Sequence, residues 1–334
     1  MREIIQNYLF SNWQKIIPDR NKPSSVDFIL NCGSLVRNLK ATFLVFPSGS
    51  AFGGYDKESL PFLIIRVAND ECGKTYLNQE WNNLVVLSEK YQMGDSVPQP
   101  LHKVEQQGYL LVFESYVKGS PLYKENRPDL FSQTCDWLID FHHKTRQDIS
   151  KELFIGKIES QINFINDAIK ITPQLKTFFS DMVEESKILI NDKMVSVFSH
   201  NDFSPRNVMI SSDKKVYGMI DWEYAEPIGM PLRDLYHFAA YYYPANNPHE
   251  LLLNFKRAFY QQTQLSYVVR KNIISYCNVL GIDISLAELF FWLHLICPLE
   301  ESIKLSMPYY SLWELHLFVL ESLVKERDKL KFIV

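Results

Sequence analysis

The sequence predicts an α+β chain with two lobes. Residues 1–116 form a small antiparallel-sheet lobe with one main helix, and residues 117–334 form a larger, mostly helical lobe. β-favouring apolar runs are concentrated near the N-terminus, a strand-like run ends in a Gly- and Pro-containing turn near residue 117, and helical spacing of apolar residues prevails afterwards. A length of 334 residues also suits two lobes better than one core.

Three apolar runs in the first lobe, residues 26–31, 39–46 and 61–67, are separated by Gly, Ser and Asp clusters, which is typical of an antiparallel meander. Between the first two runs lie Gly33 and Ser34. Glycine there would let backbone N–H groups approach an anion, so these two residues are candidates for a phosphate-binding loop. An ordinary hairpin turn is the alternative.

The third run carries Arg66 among apolar residues, and a helix over residues 74–91 follows. Five residues share one face of this helix at spacings of three and four: Leu77, Glu80, Leu84, Leu87 and Tyr91. Glu80 therefore points inward, where a carboxylate must find a cation or lose its charge. Arg66 on the neighbouring strand is the expected partner, and an unpaired Glu at the rim is the alternative.

The sequence of the rest of the chain mainly predicts helices. Residues 109–116 are a further buried strand, and residues 117–121 are a turn at the lobe boundary. Helices are expected from Asp129 onward and within residues 154–189. Residues 286–299 are strongly apolar, but Glu288 and His294 interrupt them and the segment is too short to span a bilayer, so it predicts a buried helix.

A hairpin is predicted where residues 208–210 and 216–220 form strands joined by a polar turn. Asn207 and Asp221 are equally far from Lys214 in that turn, so they should face each other roughly 5 Å apart. With Asp202 just before the first strand, they supply the oxygen atoms that Mg²⁺ accepts while it keeps waters for substrate phosphates. The pattern indicates a phosphoryl-transfer centre.

Composition narrows the functional classes. The formal net charge is −4, and without a basic run nucleic acid is an unexpected partner. The 5 cysteines include no C-x-x-C pair, so neither a zinc cluster nor a redox motif is indicated, and a reduced, cytoplasmic setting is expected. Residues 1–20 fit an amphipathic helix and lack the features of a signal peptide, and no membrane partner is expected.

Residues 199–207, Ser-His-Asn-Asp-Phe-Ser-Pro-Arg-Asn, resemble the H-x-D-x-x-x-x-N catalytic loop of the aminoglycoside phosphotransferase and choline kinase-like family, distant relatives of protein kinases. Residues 219–223, Met-Ile-Asp-Trp-Glu, resemble its metal segment, and residues 229–235, Gly-Met-Pro-Leu-Arg-Asp-Leu, resemble its continuation. The likeness covers about residues 26–240. It implies a bilobal, protein-kinase-like fold and the activity of a small-molecule kinase.

The resemblance implies a role for each matching residue. Asp202 would accept or orient the proton of the attacking hydroxyl, and Asn207 and Asp221 would hold Mg²⁺ on the phosphates of ATP or GTP. Arg66 would contact those phosphates and pair with Glu80. An Asx turn and a helix cap are the structural alternative for Asp202 and Asn207.

Other implied roles concern the nucleotide and the loop itself. Glu114, Ser115 and Tyr116 would form the linker whose backbone holds the adenine. His200 would act either as a catalytic base or, as in kinase-like loops, as a hydrogen-bonding support for the loop. Asp234 would anchor that loop.

Three positions depart from the family pattern. Arg66 stands where protein kinases have lysine, and its planar fork binds phosphate differently. Asn201 stands where glycine is common, and Met230 replaces an aspartate. The last two changes are expected to shape the substrate side rather than the metal site.

The acceptor is the least determined element. Glu223 lies two residues beyond Asp221 and should project to the same side, toward a second metal, the substrate or water. Trp222 and Tyr224 are further candidates for substrate contact. Other aromatic and acidic candidates are Tyr241, Tyr242, Tyr243, Trp292, Glu300, Glu301, Tyr309, Tyr310 and Trp313. Such residues suit a cationic alcohol, a sugar hydroxyl is as plausible, and ordinary core packing is the alternative.

The expected function is therefore transfer of the γ-phosphate of ATP or GTP, with Mg²⁺, to a small-molecule hydroxyl such as that of an amino alcohol, an aminoglycoside or a sugar. A non-catalytic nucleotide-binding or scaffold protein is the alternative. A protein kinase is less compatible, since no D-F-G or A-P-E motif follows Asp221. A monomer or a homodimer is expected.

Overall fold

The computed structural model describes residues 1–32, 40–48, 60–124, 129–304 and 312–330. The predicted phosphate-loop residues Gly33 and Ser34 lie outside these ranges. The backbone divides into two compact units, Met1–Lys124 with Asn207–Ala225, and Glu125–Arg206 with Glu226–Val334. The hairpin thus belongs to the first unit, while the functional lobe boundary at residues 116/117 stays a prediction.

The described helices, in chain order, are α1 (Arg2–Ser11), α2 (Trp13–Ile16), α3 (Glu71–Glu89), α4 (Asp129–Thr145), α5 (Lys151–Ala168), α6 (Pro173–Leu189), α7 (Arg233–Tyr241), α8 (Pro248–Phe255), α9 (Gln264–Leu280), α10 (Ala287–Lys304) and α11 (Leu312–Val324). The described strands are β1 (Val26–Cys32), β2 (Ala41–Pro47), β3 (Leu63–Ala68), β4 (Pro100–Gln106), β5 (Tyr109–Glu114), β6 (Ser120–Pro121), β7 (Gln147–Ser150), β8 (Lys193–Ser199), β9 (Val208–Ile210), β10 (Val216–Met219) and β11 (Glu226–Gly229).

Strands β1 to β5 form an antiparallel sheet in the order β1-β2-β3-β5-β4. This confirms the predicted sheet with one main helix, α3. Strand β4 is absent from the prediction. Most of its residues are half-exposed, as expected for an edge strand, and its mixed polar and apolar sequence therefore carries no strong apolar run.

The alternation of side chains along β3 explains how an arginine is accommodated in a buried strand. Leu63, Ile65 and Val67 belong to a buried cluster with residues of α1 and α2, such as Leu9 and Trp13. The intervening residues of β3 face the opposite side of the sheet. Each buried large apolar side chain contributes about 1.5–3 kcal/mol, so the α1–α2 face supplies much of the stability that positions β3.

The other face of the sheet packs against α3. There Ala68, Leu77 and Val112 form a small apolar cluster. Helix α3 begins at Glu71 rather than near residue 74 because the side chain of Asp70 caps it, accepting a hydrogen bond from the Gly73 N–H at 2.8 Å.

Cross-strand pairing places charged residues on the α3 face as well. Thr42 pairs with Arg66, and Ile64 pairs with Glu114. Directly paired residues share a face, and so do residues two apart on one strand. Arg66 and Glu114 therefore project from the same side of the sheet, the side on which α3 lies.

The β9–β10 hairpin forms as predicted, but its register differs by one residue. Met219 pairs with Val208, and the Ile220 N–H donates to the Asn207 carbonyl at 3.0 Å. Asn207 therefore lies opposite Ile220, and the expected direct pairing of Asn207 with Asp221 is wrong. The cause is a shorter turn, because Val216 already pairs with Ile210, and an irregularity between Val216 and Gly218 then adds one residue to the returning strand, which moves the partner of Asn207 only from Met219 to Ile220.

The second unit is mostly helical, which confirms the predicted class of the C-terminal part. It also contains a small sheet in the order β11-β8-β7, which the sequence did not reveal. The apolar segment predicted as a buried helix lies in α10, whose side chains are largely buried. In the described part of the chain, every helix is either too short or too polar to cross a lipid bilayer.

Candidate active site

Arg66 lies at the centre of a buried charge cluster in the first unit. Its Nε is 2.8 Å from Glu114 Oε1, its Nη2 is 3.3 Å from Glu80 Oε1, and its Nη1 is 3.2 Å from Asp221 Oδ1. The structure thus brings Arg66 and Glu80 together, as the helix pattern suggested. It adds Glu114 as a closer partner, so this side chain belongs to the cluster and not only to the predicted linker.

Lys40 is a second cation in this cluster, and sequence reasoning missed it. Its Nζ lies 2.7 Å from Glu223 Oε2, 2.9 Å from Asp221 Oδ1 and 3.2 Å from Glu80 Oε2. The signal was present in the sequence, because Lys40 lies within the predicted second strand. Since Thr42 pairs with Arg66, a residue two before Thr42 projects from the same side of the sheet as Arg66.

Burial and charge shift the ionisation of the cluster. Burial, opposed by Arg66, raises the pKa of Glu114 to about 7, and burial also raises the pKa of Glu223 above its ordinary value. Burial and Arg66 act to lower the pKa of Lys40, but Asp221, Glu80 and Glu223 raise it more, so the net shift is upward. Lys40 therefore stays an ammonium ion.

The donor set of the cluster fits a hard divalent cation. One carboxylate oxygen from each of Glu80, Asp221 and Glu223 lies within 4.8 Å of the others. Glu80 is fully buried, its Oε1 has only the ion-pair contact with Arg66 Nη2, and within the described residues Glu114 Oε2 has no hydrogen-bond partner. Carboxylate oxygens are the ligands that Mg²⁺ prefers, and the acidic side chains outnumber Lys40 and Arg66.

Two features position Asp221 after β10. Its backbone φ is +71°, in the left-handed region, which turns the chain directly after the strand. The Asn83 side chain on α3 donates to the carbonyls of Trp222 at 3.0 Å and Ala225 at 2.9 Å. Asn207 directly precedes β9 and is buried. Its role as a metal ligand stays a prediction.

The predicted adenine linker begins at Glu114, the last residue of β5. The Ser115 N–H donates to the Gln99 carbonyl at 3.0 Å, and its hydroxyl accepts from the Gln99 N–H at 2.8 Å. The Tyr116 hydroxyl donates to the Gly119 carbonyl at 3.1 Å. These bonds fix the linker to the residue before β4 and to its own turn, and its contact with a base stays a prediction.

The catalytic-loop motif lies in the second unit, where Asp234 anchors its backbone. Asp234 Oδ2 accepts from the His200 N–H at 2.7 Å, and Oδ1 accepts from the Asn201 N–H at 2.8 Å. The Nε2 of His142 lies 3.2 Å from Oδ2, and its Nδ1 lies 2.7 Å from the Tyr276 hydroxyl. Burial acts to raise the pKa of Asp234, but His142 and His200 lower it to about 2.

His200 has the geometry of a loop support. It is fully buried, and its Nδ1 accepts a hydrogen bond from the Asp202 N–H at 3.2 Å. Asn201 has a φ of +66°, a conformation that glycine adopts freely and asparagine tolerates better than most residues. This explains why the position that is commonly glycine in the resembled family can hold asparagine here.

Asp202 is the carboxylate of the loop, and 39% of its side chain is exposed. Its Oδ1 lies 3.5 Å from the Nε2 of His237, whose ring stacks on Tyr241 with centroids 4.3 Å apart. Sequence reasoning did not select His237. The helical spacing contained a signal, because residues 234 and 237 lie three apart on α7 and share a face with the anchor of the loop.

The predicted substrate residues differ in accessibility. Trp222 is fully buried, and its indole N–H donates to the Met219 carbonyl at 3.1 Å, which favours a role in core packing. Tyr224 is half-exposed and lies edge-on to Tyr76, with ring centroids 5.6 Å apart. Tyr309 and Tyr310 lie outside the described residues.

The acidic pair considered for a cationic substrate is engaged within the second unit. The Arg233 guanidinium lies 2.5 Å from Glu301 Oε1, and Lys304 Nζ lies 2.5 Å from Glu300 Oε1. Trp292 on α10 is buried in the core. The ion pairs of Glu300 and Glu301 and the burial of Trp292 favour a structural role for all three residues.

The sequence over residues 86–266, more than half of the chain, matches the model of a family described as the phosphotransferase enzyme family. The chain belongs to this phosphotransferase family. Membership confirms the resemblance carried by the loop and the metal segment. No curated protein sequence matches this phosphotransferase significantly.

Solved structures share the fold of this phosphotransferase at low sequence identity. The GDP and kanamycin complex of APH(2")-IIIa aligns with a TM-score of 0.57 and 15% identity over 96% of this chain and 99% of that one. A GDP complex of a mutant aminoglycoside 2'-phosphotransferase-IIIa gives 0.54 and 15% over 97% and 98%. Choline kinase LicA from Streptococcus pneumoniae gives 0.50 and 15% over 97% and 98%. These likenesses confirm the kinase-like α+β fold.

Proposed function

We propose that this phosphotransferase moves the γ-phosphoryl group of ATP or GTP to a hydroxyl group of a small molecule in the presence of Mg²⁺. The observation that carries the proposal is the set of contacts that Arg66 makes with Glu80 and Asp221 in one compact unit. They combine a phosphate-binding cation with the carboxylates of a metal site, which is the pairing that kinase-like transfer needs.

The nucleotide side of the reaction is assigned to the first unit. Asp221 and Asn207 are the proposed Mg²⁺ ligands, and Glu223 is a candidate for a second ligand or a water contact. When bound, Mg²⁺ would neutralise charge on the phosphate oxygens. Arg66 would contact those oxygens with one edge of its guanidinium while Glu80 and Glu114 hold its orientation.

The acceptor side is assigned to Asp202. Its carboxylate is partly exposed, so an acceptor hydroxyl can reach it and donate a hydrogen bond. The carboxylate would orient that hydroxyl and accept its proton as the new bond to phosphorus forms. His200 would act as the support of the loop, because its Nδ1 already accepts the Asp202 N–H.

The relatives suggest where the search for the acceptor should begin. Two of the solved relatives are aminoglycoside phosphotransferases with GDP bound, and a third is a choline kinase. Aminoglycosides and amino alcohols are therefore the first acceptors to test, followed by sugars and nucleosides. GTP should be tested beside ATP.

The test measures transfer of labelled γ-phosphate from Mg·ATP or Mg·GTP to this panel. We expect one acceptor class to be labelled by the wild-type chain. Asp202→Asn should lower the rate about a thousandfold, the scale for loss of a positioned general base. The matched control is Asp181→Asn, an exposed residue on α6, which should react as the wild type does.

Other outcomes would contradict the proposal. Full activity in Asp202→Asn would remove Asp202 from the mechanism. Tight binding of Mg·ATP in a thermal-shift assay without transfer to any acceptor would favour the non-catalytic alternative. Label on a generic protein, with none on a small alcohol, would favour a protein kinase.

A further inference from the structure

The ammonium group of Lys40 lies where a cation bound by the carboxylate cluster would lie. Its Nζ is within 3.2 Å of one oxygen from each of Glu80, Asp221 and Glu223. The same three carboxylates converge to within 4.8 Å of one another. An ammonium group has three N–H donors, so each can serve one of these carboxylates.

A divalent metal and the Lys40 ammonium cannot share this position. Mg²⁺ binds oxygen at about 2.0–2.1 Å, so an ion held by Asp221 and Glu223, the two carboxylates nearest to Nζ, would fill the volume that Nζ fills. The two cations would also repel each other strongly at such a separation. Binding of the metal therefore requires that Lys40 give up its three ion pairs.

The place of Lys40 in the chain allows that exchange. It directly precedes β2, while Arg66, which makes the other ion pairs, lies within β3. Lys40 keeps 15% of its side chain exposed, and a lysine side chain has four rotatable carbon–carbon bonds through which to withdraw. Arg66 can stay with Glu80 and Glu114 when Lys40 leaves, so a positive charge still neutralises part of the buried negative charge.

We propose that Lys40 holds the cation position of this cluster in the nucleotide-free protein and must be displaced by the divalent metal. Resting on the proposed function, the inference identifies Lys40 as the residue that sets metal affinity. Free Mg²⁺ binds weakly because it competes with Lys40. Nucleotide phosphates give the displaced ammonium a new anionic partner, so metal and nucleotide bind cooperatively.

A direct test measures Mn²⁺ binding to the nucleotide-free chain by the electron paramagnetic resonance signal of free Mn²⁺. We expect Lys40→Met to bind Mn²⁺ at least about tenfold more tightly than the wild type, because the competing cation is gone. Lys74→Met is the matched control. Lys74 pairs with Glu105 at 2.7 Å on the surface, so this change alters net charge equally without touching the cluster, and its Mn²⁺ affinity should match the wild type.

A second measurement uses the wild-type chain, so it does not depend on the folding of a variant. Reductive methylation followed by mass spectrometry reports how freely each lysine reacts. Lys40 should be protected in the metal-free protein, and saturating Mg²⁺ without nucleotide should speed its modification several-fold relative to Lys74. Unchanged protection of Lys40, or equal Mn²⁺ affinity in Lys40→Met and Lys74→Met, would overturn the proposal.

Neither measurement requires phosphoryl transfer, so the two proposals fail separately. A displaced Lys40 in a chain that labels no acceptor would leave the inference standing and remove the proposed function. Phosphoryl transfer by a chain in which Lys40 stays protected would support the proposed function and overturn the inference about Lys40.

Discussion

The Nε2 atom of His237 lies 3.5 Å from the Oδ1 atom of Asp202. His237 is itself fixed by stacking on Tyr241. One oxygen of the proposed catalytic carboxylate therefore faces an imidazole of α7, which we expect to help hold the orientation of Asp202. This makes His237 a positioning residue in the proposed reaction.

His237→Gln should lower kcat about tenfold and leave the KM for the nucleotide unchanged, because it loosens the carboxylate that aligns the acceptor. Steady-state kinetics with the acceptor found in the panel measures both parameters. His143→Gln, on the exposed side of α4, is the matched control and should behave as the wild type. An equal loss in both variants would contradict the positioning role.

Asp234→Asn should destabilise the fold by about 2–3 kcal/mol at neutral pH. The carboxylate accepts two backbone N–H groups of the loop, and an amide can accept only through its single oxygen, which leaves a buried donor unpaired. Urea unfolding measures the difference, with the exposed Asp181→Asn as its control. A loss below about 0.5 kcal/mol would show that the loop does not depend on this anchor.

The same variant tests a pH dependence. The pKa of Asp234 is about 2 in the folded chain, below its ordinary value of about 3.9 in an unfolded chain. The stabilisation from this shift, about 2–3 kcal/mol, is therefore complete only above about pH 5 and is lost as the pH falls through the folded pKa. The stability difference between the wild type and Asp234→Asn should shrink between pH 5 and pH 2. A constant difference would contradict the shift.

Gly218→Ala should destabilise the first unit by at least about 2 kcal/mol. A Cβ at Gly218 would collide with the backbone carbonyl of Ser96, and backbone atoms cannot move aside cheaply. Gly156→Ala in α5 is the matched control, since a Cβ there meets open space and alanine favours the helix by about 0.5–1 kcal/mol. Thermal unfolding of both variants should show shifts of opposite sign.

Arg66→Lys should destabilise the first unit by about 2–3 kcal/mol and weaken nucleotide binding. Three different guanidinium nitrogens contact Glu114, Glu80 and Asp221, and one ammonium group cannot span these carboxylates, so buried charge is left unpaired. Urea unfolding and a thermal-shift titration with Mg·ATP provide the measurements. Arg146→Lys, at a partly exposed position, is the control and should change neither the free energy of unfolding nor nucleotide binding. Wild-type behaviour of Arg66→Lys would show that a positive charge alone is enough at this position.

Local sequence patterns determined the fold class, the family and part of the candidate site. Apolar alternation in residues 61–67 and helical spacing around Glu80 sufficed to predict an arginine and a glutamate on facing elements, because both patterns fix which side a residue faces. The loop and metal segments sufficed for the family, since their chemistry requires particular residues at particular spacings. The second sheet and the edge strand β4 were missed, because short or half-exposed strands carry little apolar signal.

Only the tertiary structure decided how these parts meet. The pairing of Val216 with Ile210 and the extra residue near Gly218 together placed Asn207 opposite Ile220, and no local pattern indicates either feature. Lys40 is far from Asp221 and Glu223 in the sequence, and the three side chains meet because strand pairing and the turn at Asp221 bring them to one place. The contacts of His237 with Asp202 arise in the same way. Sequence thus determined which chemical groups are present, whereas long-range packing determined which of them touch.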